Sequence, residues 1–365
     1  MDILQKLDKV KKRINKIKNI CKWLNSHKTT FLHVHCIYDN LGDISVAEAI
    51  KEIFTKFIIL DYSFNSRINM LNRILKKRMF KYGCLGGGTL IFAPLDSEWS
   101  LSLGKLINNR VDLLFTLGTG VRPPDFFNDI DNFTVFKWIE YLKKFRVISV
   151  QGNLSRQILK EYGLEKVEVV GDPVLIYCRD KILSKKYIKS IGINISQNHQ
   201  FYGDKNKFLN TMKKFIKMLI DEKWQITFFP CCKEDVRLSL EICKEIKKDL
   251  KIFKNYQNIY SFMERVEKQD IFIGIKLHSV VSAFCTYTPA LMIAYQPKGF
   301  DFMETMSMSE FVFRSDKVEV GSLIERVNYL YNHIKEIQHR QYHTCQKFKQ
   351  RLLKFRDQVC SLVGS

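Results

Sequence analysis

The sequence predicts an α/β protein: two Rossmann-like domains facing each other across a cleft, with basic helical extensions at both ends. Three observations predict it. Short apolar runs, each closed by a glycine or polar turn, alternate with helical patterns, which indicates parallel sheets joined by crossovers. The alternation restarts after a polar stretch near residue 180. The chain has 365 residues, a length that suggests two domains rather than one.

Residues 1–28 carry Ile3, Leu7, Val10, Ile14, Ile17, Cys21 and Leu24 at alternating four- and three-residue spacing, one face of a helix. Lysines and Arg13 cover much of the rest. Such a basic amphipathic helix suits an anionic bilayer, or packing on its own protein. The N-terminal domain is expected over 30–178, as the acceptor side, with strands at 31–37, 57–60, 83–85, 111–117, 147–150 and 167–170 and a first helix at 44–54. Residues 179–190 read as a linker. The C-terminal domain, 190–318, is expected as the donor side, with strands at 191–195, 225–229, 270–275 and 290–294 and helices at 205–221, 238–248 and 279–287. The tail, 322–362, reads as helical and basic.

Apolar residues make up 46% and charged residues 27%, a globular composition that excludes disordered and collagenous classes. No run approaches the ~20 apolar residues of a membrane span, and the N-terminus lacks a signal-peptide core, so a cytoplasmic protein is expected. The net charge of +21 implies polyanionic company: nucleic acid, phosphorylated small molecules or an anionic membrane face. Nucleic acid is the weakest of these, because the charge concentrates in 1–28 and the tail, away from any recognisable module. The ten cysteines form no CxxC pair and no zinc spacing, and read as reduced core thiols.

In open α/β sheets ligands bind beyond the carboxyl ends of the strands, and four turns sit there. In Asn40-Leu-Gly42-Asp43, Gly42 permits a tight turn and Asp43 is suited to cap the next helix. Gly86-Gly87-Gly88 allows close backbone approach to phosphate or carboxylate. Gly118-Thr119-Gly120 has the same logic, with Arg122 as an anion clamp. Lys276-Leu-His278-Ser279 places a cation and an imidazole where a helix begins. In extended geometry Lys276 and His278 would project to the same side.

Together with Ser149-Val-Gln-Gly-Asn-Leu-Ser155, Gly171-Asp-Pro-Val-Leu175, Pro289 and Tyr295-Gln-Pro-Lys298, these motifs resemble, in order and spacing, the polysaccharide pyruvyl transferases, over about residues 30–305. The resemblance implies a GT-B-like fold. It implies transfer of the enolpyruvyl unit of phosphoenolpyruvate to two sugar hydroxyls of a surface polysaccharide or its lipid-linked repeat unit, giving a cyclic ketal and phosphate. His278 would then protonate the donor methylene, and Asp43 would orient or deprotonate a hydroxyl, with Asn40 and Gly42 on the acceptor side. Gly86, Gly87, Gly88, Gly118, Thr119, Gly120, Arg122, Lys276, Ser279, Tyr295 and Lys298 would hold the donor anion. No cofactor beyond the co-substrate phosphoenolpyruvate and no metal is demanded. The chain departs from the family in carrying Gln151-Gly152 for Arg-Asp and Lys276 for Arg. Lysine offers a point charge where arginine grips two oxygens. These departures keep open the alternative, a GT-B glycosyltransferase using a nucleotide sugar.

Overall fold

The computed structural model describes residues 30–35, 39–61, 80–108, 111–197 and 200–362. The expected amphipathic helix over 1–28 lies outside them, as do Cys21, Cys36 and the end of the first expected strand.

The first half runs β1 (Thr30–Val34), α1 (Leu41–Ile53), β2 (Ile58–Asp61), β3 (Phe80–Gly86), β4 (Thr89–Ile91), α2 (Glu98–Asn108), β5 (Val111–Leu117), β6 (Gly120–Val121), α3 (Asn132–Leu142), β7 (Ile148–Val150), α4 (Asn153–Glu161) and β8 (Val167–Val169). Its main sheet has the order β2-β1-β3-β5, all parallel. A parallel bridge from Phe115 to Val147 carries it on to the β7–β8 pair. A 3₁₀ turn, Pro173–Tyr177, closes this half.

The second half runs β9 (Ser190–Ile193), α5 (Lys205–Asp221), β10 (Gln225–Phe228), α6 (Lys233–Ile246), β11 (Lys251–Ile252), α7 (Ile259–Glu267), β12 (Ile271–Gly274), α8 (Leu277–Cys285), β13 (Ala290–Ala294), α9 (Pro297–Thr305) and β14 (Val312–Arg314). Its six parallel strands take the order β11-β10-β9-β12-β13-β14, which is the 3-2-1-4-5-6 arrangement of dinucleotide-binding sheets. The strand order reverses between β9 and β12, and a crevice opens at such a point.

Helix α10 (Val320–Asn332) packs on the second half, where Tyr331 lies edge-on to Trp224 at 5.1 Å. Helix α11 (Ile334–Ser361) is packed on the protein: it buries Ile334, Ile337, Cys345, Phe348, Leu352, Phe355 and Val359. Its later turns lie on the first half. The Phe355 ring centroid is 6.2 Å from that of Phe115, and Arg351 donates to the Val169 carbonyl. One apolar core therefore runs through both halves, from Phe31 and Phe115 to Phe228 and Phe272. A second cluster around Trp138 fills the far side of the first sheet, with the indole N–H donating to the Ala93 carbonyl at 2.8 Å. The eight described cysteines are free thiols, six of them buried.

Candidate active site

The carboxyl ends of the two sheets face each other across a cleft of about 410 Å³, within the range of small-molecule sites. The first half contributes Asn40, Gly42, Asp43, Gly88, Thr89, Arg122 and Phe127. The second contributes Gln200, Cys231, Lys276, Leu277, His278, Tyr295, Gln296 and Lys298.

Helix α1 starts three residues earlier than expected, because Asn40 rather than Asp43 is its cap. The Asn40 Oδ1 accepts from the Asp43 amide at 3.1 Å, and its Nδ2 donates to Asp43 Oδ2 at 2.7 Å. Asp43 sits in the first turn, where a carboxylate gains from the helix dipole. Gly42 is not a turn glycine either. It is helical, and a Cβ there would lie 2.7 Å from His278 Nδ1. Its bare surface lets the imidazole of one half come down on the helix of the other.

Strand β12 stops at Gly274, so Lys276 is the N-cap of α8 and His278 lies in the helix's first turn. The two side chains therefore diverge, contrary to the extended geometry expected. His278 Nε2 faces Asp172 Oδ2 at 3.3 Å. Neither atom makes a hydrogen bond among the described residues, so this is a close approach rather than an aligned hydrogen bond. Asp172 is itself fixed by the Val174 amide at 2.9 Å. With the carboxylate on Nε2, Nδ1 is the nitrogen turned toward Gly42 and the cleft.

The Lys276 ammonium lies 2.8 Å from Cys232 Sγ and 3.3 Å from Asp235 Oδ1. Burial opposes its charge, but Asp235 and the Cys231 and Cys232 sulfurs outweigh that and its pKa is raised. Asn194, at the end of β9, accepts from the Lys276 amide at 2.9 Å and donates to the Phe229 carbonyl at 2.9 Å, tying three strand ends together at the reversal point. Asp235 also accepts from the Cys231 amide at 2.9 Å.

Several other expected anion contacts are occupied within the protein. Arg122 holds both oxygens of Asp129, at 2.8 and 2.9 Å, and stacks on Phe127. The buried Ser279 hydroxyl donates to the Lys276 carbonyl at 2.6 Å. The Gly87 amide donates to Leu117 O at 3.0 Å and the Gly120 amide to Gly88 O at 2.7 Å. Gly118 donates to Ser149 Oγ at 3.3 Å, and Thr119 to Gly88 O at 3.2 Å. The two glycine turns are thus stitched to each other. Gly87, at φ +67° with Val46 beneath it, admits no side chain; Gly86 packs on Ile50. Of the glycines in these two turns only Gly88 lines the cleft. Gln151 is buried beside Gly120. Lys298 does reach the cleft, with its ammonium 5.3 Å from the Tyr295 ring centroid. The positions missed from sequence are the supporting ones: Asp172, Asn194, Asp235 and the cleft amides Gln200 and Gln296. Asp172 and Gln296 lay in quoted motifs, but neither was singled out.

Two Rossmann-like halves with a polar cleft between their strand ends define a GT-B-like fold. Over residues 17–297 the sequence matches the family described as polysaccharide pyruvyl transferase, and the chain belongs to that family. No curated protein matches the sequence. Among solved structures the fold is similar to S. aureus MnaA bound to UDP, at 11% identity and TM-score 0.54, covering 86% of this chain and 90% of that one. It is also similar to a putative UDP-N-acetylglucosamine 2-epimerase from Listeria monocytogenes, at 12% identity and TM-score 0.54, covering 87% and 91%. A glycosyltransferase from Rickettsia africae gives 12% identity and TM-score 0.54, covering 93% and 99%. Among the described residues no helix is long and apolar enough to cross a membrane.

Proposed function

We propose that the chain transfers the enolpyruvyl unit of phosphoenolpyruvate to a sugar of a surface polysaccharide or its lipid-linked repeat unit, closing a pyruvyl ketal. The observation that supports this best is the approach of His278, backed by Asp172, to Gly42 beside Asp43 across the cleft. An acid from one half then faces a carboxylate from the other. The donor methylene takes a proton from His278 Nδ1, and a sugar hydroxyl aligned by Asp43 adds to the adjacent carbon. Phosphate leaves, and a second hydroxyl adds to the same carbon. Of the two hydroxyl protons released, one replaces that lost by His278 and one departs with phosphate. Lys298 and the Gly88 backbone are the remaining cleft groups for the donor's anionic end, since Lys276 and Arg122 are ion-paired.

The test is phosphate release from phosphoenolpyruvate over a panel of free and lipid-linked saccharides, with product mass. Release with a product heavier by one pyruvyl ketal is expected; turnover only with nucleotide sugars would replace this reading by glycosyl transfer. That second reading draws on the 3-2-1-4-5-6 sheet, whose reversal point opens on the cleft. The basic stretch 1–28 would bring the enzyme to a lipid-linked acceptor at an anionic bilayer. A chain beginning at Thr29 should lose binding to anionic liposomes and keep turnover on soluble acceptors; unchanged binding removes the idea.

A further inference from the structure

Helix α4 opens with Gly152 at its N-cap, a residue with no side chain to cap with. Its first amides are nonetheless satisfied, and the acceptors come from the other half of the molecule. Asn153 N–H donates to Thr305 Oγ1 at 3.0 Å, and Leu154 N–H to Asp301 Oδ1 at 2.9 Å. Ser155 N–H and its hydroxyl donate to Asp301 Oδ2 at 3.3 and 2.7 Å. Asp301 and Thr305 stand one turn apart on α9, hence on one face. A Cβ at 152 would collide with the Asp301 carboxylate, so Gly152 and Asp301 are a matched pair. Burial pushes the Asp301 pKa up, against the Ser155 and Leu154 hydrogen bonds. These donors are what makes a carboxylate tolerable there.

The same helix reaches the cleft. Lys298, in the first turn of α9, and Gln296, its N-cap, line the site, while Asp301 and Thr305 grip α4. Inside the cleft a second helix start is docked in the same way: the Leu41 amide of α1 donates to the Cys231 carbonyl at 2.8 Å, next to the contact of Gly42 with His278.

We propose that Asp301 is a positioning residue that caps α4 from the opposite half and thereby holds the register in which His278 meets α1. Its effect on turnover rests on the transfer reading above; the latch does not.

Amide hydrogen exchange at residues 41 and 153–155 and phosphate release from phosphoenolpyruvate are measured for wild type, Asp301→Ala, Asp301→Asn and the double variant Gly152→Asp/Asp301→Ala. In Asp301→Ala, protection at 153–155 and at Leu41 should fall roughly 5- to 30-fold, and kcat should fall more than KM changes. Asp301→Asn keeps an oxygen for the Leu154 N–H but turns an NH2 toward Ser155, whose N–H then lacks its acceptor; protection and turnover should lie between those of wild type and Asp301→Ala, with the loss greatest at Ser155. The double variant returns a carboxylate to the N-cap within the first half. It should restore protection at 153–155 while leaving Leu41 exposed and turnover low. If Asp301→Ala does not fold, Asp301→Asn and the double variant carry the comparison. Wild-type protection of Leu41 in the double variant, or full turnover there, overturns the proposal and leaves Asp301 a helix cap. Absence of phosphate release by wild type would count against the transfer reading, while the exchange comparison still decides the latch.

Discussion

Replacing His278 by Asn removes the ring nitrogen that faces Gly42 but keeps a polar side chain of similar reach. Turnover should fall roughly 10²-fold or more, the scale of a lost general acid, with phosphoenolpyruvate binding nearly unchanged; wild-type turnover would make His278 structural. Lys276→Ala acts differently. It leaves the buried Asp235 without its cation, so the melting temperature should drop, by the equivalent of roughly 3–5 kcal/mol. A loss confined to donor affinity, seen in binding titration with an unchanged melting curve, would contradict the ion-pair role. The raised pKa places the sign: the pair's contribution is complete below the unfolded lysine value and is lost only as pH rises through the higher folded one. Lys276 therefore gives no pH dependence near neutrality. His278, Asp43 and Lys276 were legible in the sequence because strand ends announce them. Their partners were not, since Asn194 comes from 82 residues before Lys276 and Asp235 from 41 residues after Asn194, and no local pattern marks such pairs.

Element boundaries carry the next lesson. The β-α alternation and the 111–117 and 290–294 strands read correctly, because buried parallel strands are continuous apolar runs. The starts of α1 and α8 did not, and the difference moves Gly42 and His278 from turns into helices. Strand β11, two residues long, was too short to show a period, and α9 was hidden by Gly299, whose missing side chain accommodates Ala294 and Met292. Helix-borne Gly42 gives a sharp test. Gly42→Ala should favour α1 by up to about 1 kcal/mol on propensity alone, yet the new methyl would displace the His278 ring. Chemical denaturation should show stability kept or modestly lowered, while turnover falls well over tenfold. Unimpaired turnover would mean that the imidazole works from elsewhere.

At the scale of the molecule, the two halves are joined by α11 and by helix starts of the first half seated on acceptors of the second. Phe355→Ala, at the α11 crossing, should cost roughly 3–5 kcal/mol, read as a shift of a single unfolding midpoint. Two resolved midpoints would show that the halves unfold separately. The crossing of α11 also sets an order of events during synthesis. Gln358 donates to Glu168 across 190 residues of chain, and Phe115 waits for Phe355 to cover it. The first half can gather its sheet as it leaves the ribosome, but it keeps an uncovered apolar patch until α11 has been added. Closing so long a loop is slow, and exposed apolar surface on a waiting intermediate invites aggregation. A chain ending before residue 334 should accordingly accumulate in chaperone-bound or insoluble form, however sound its cleft.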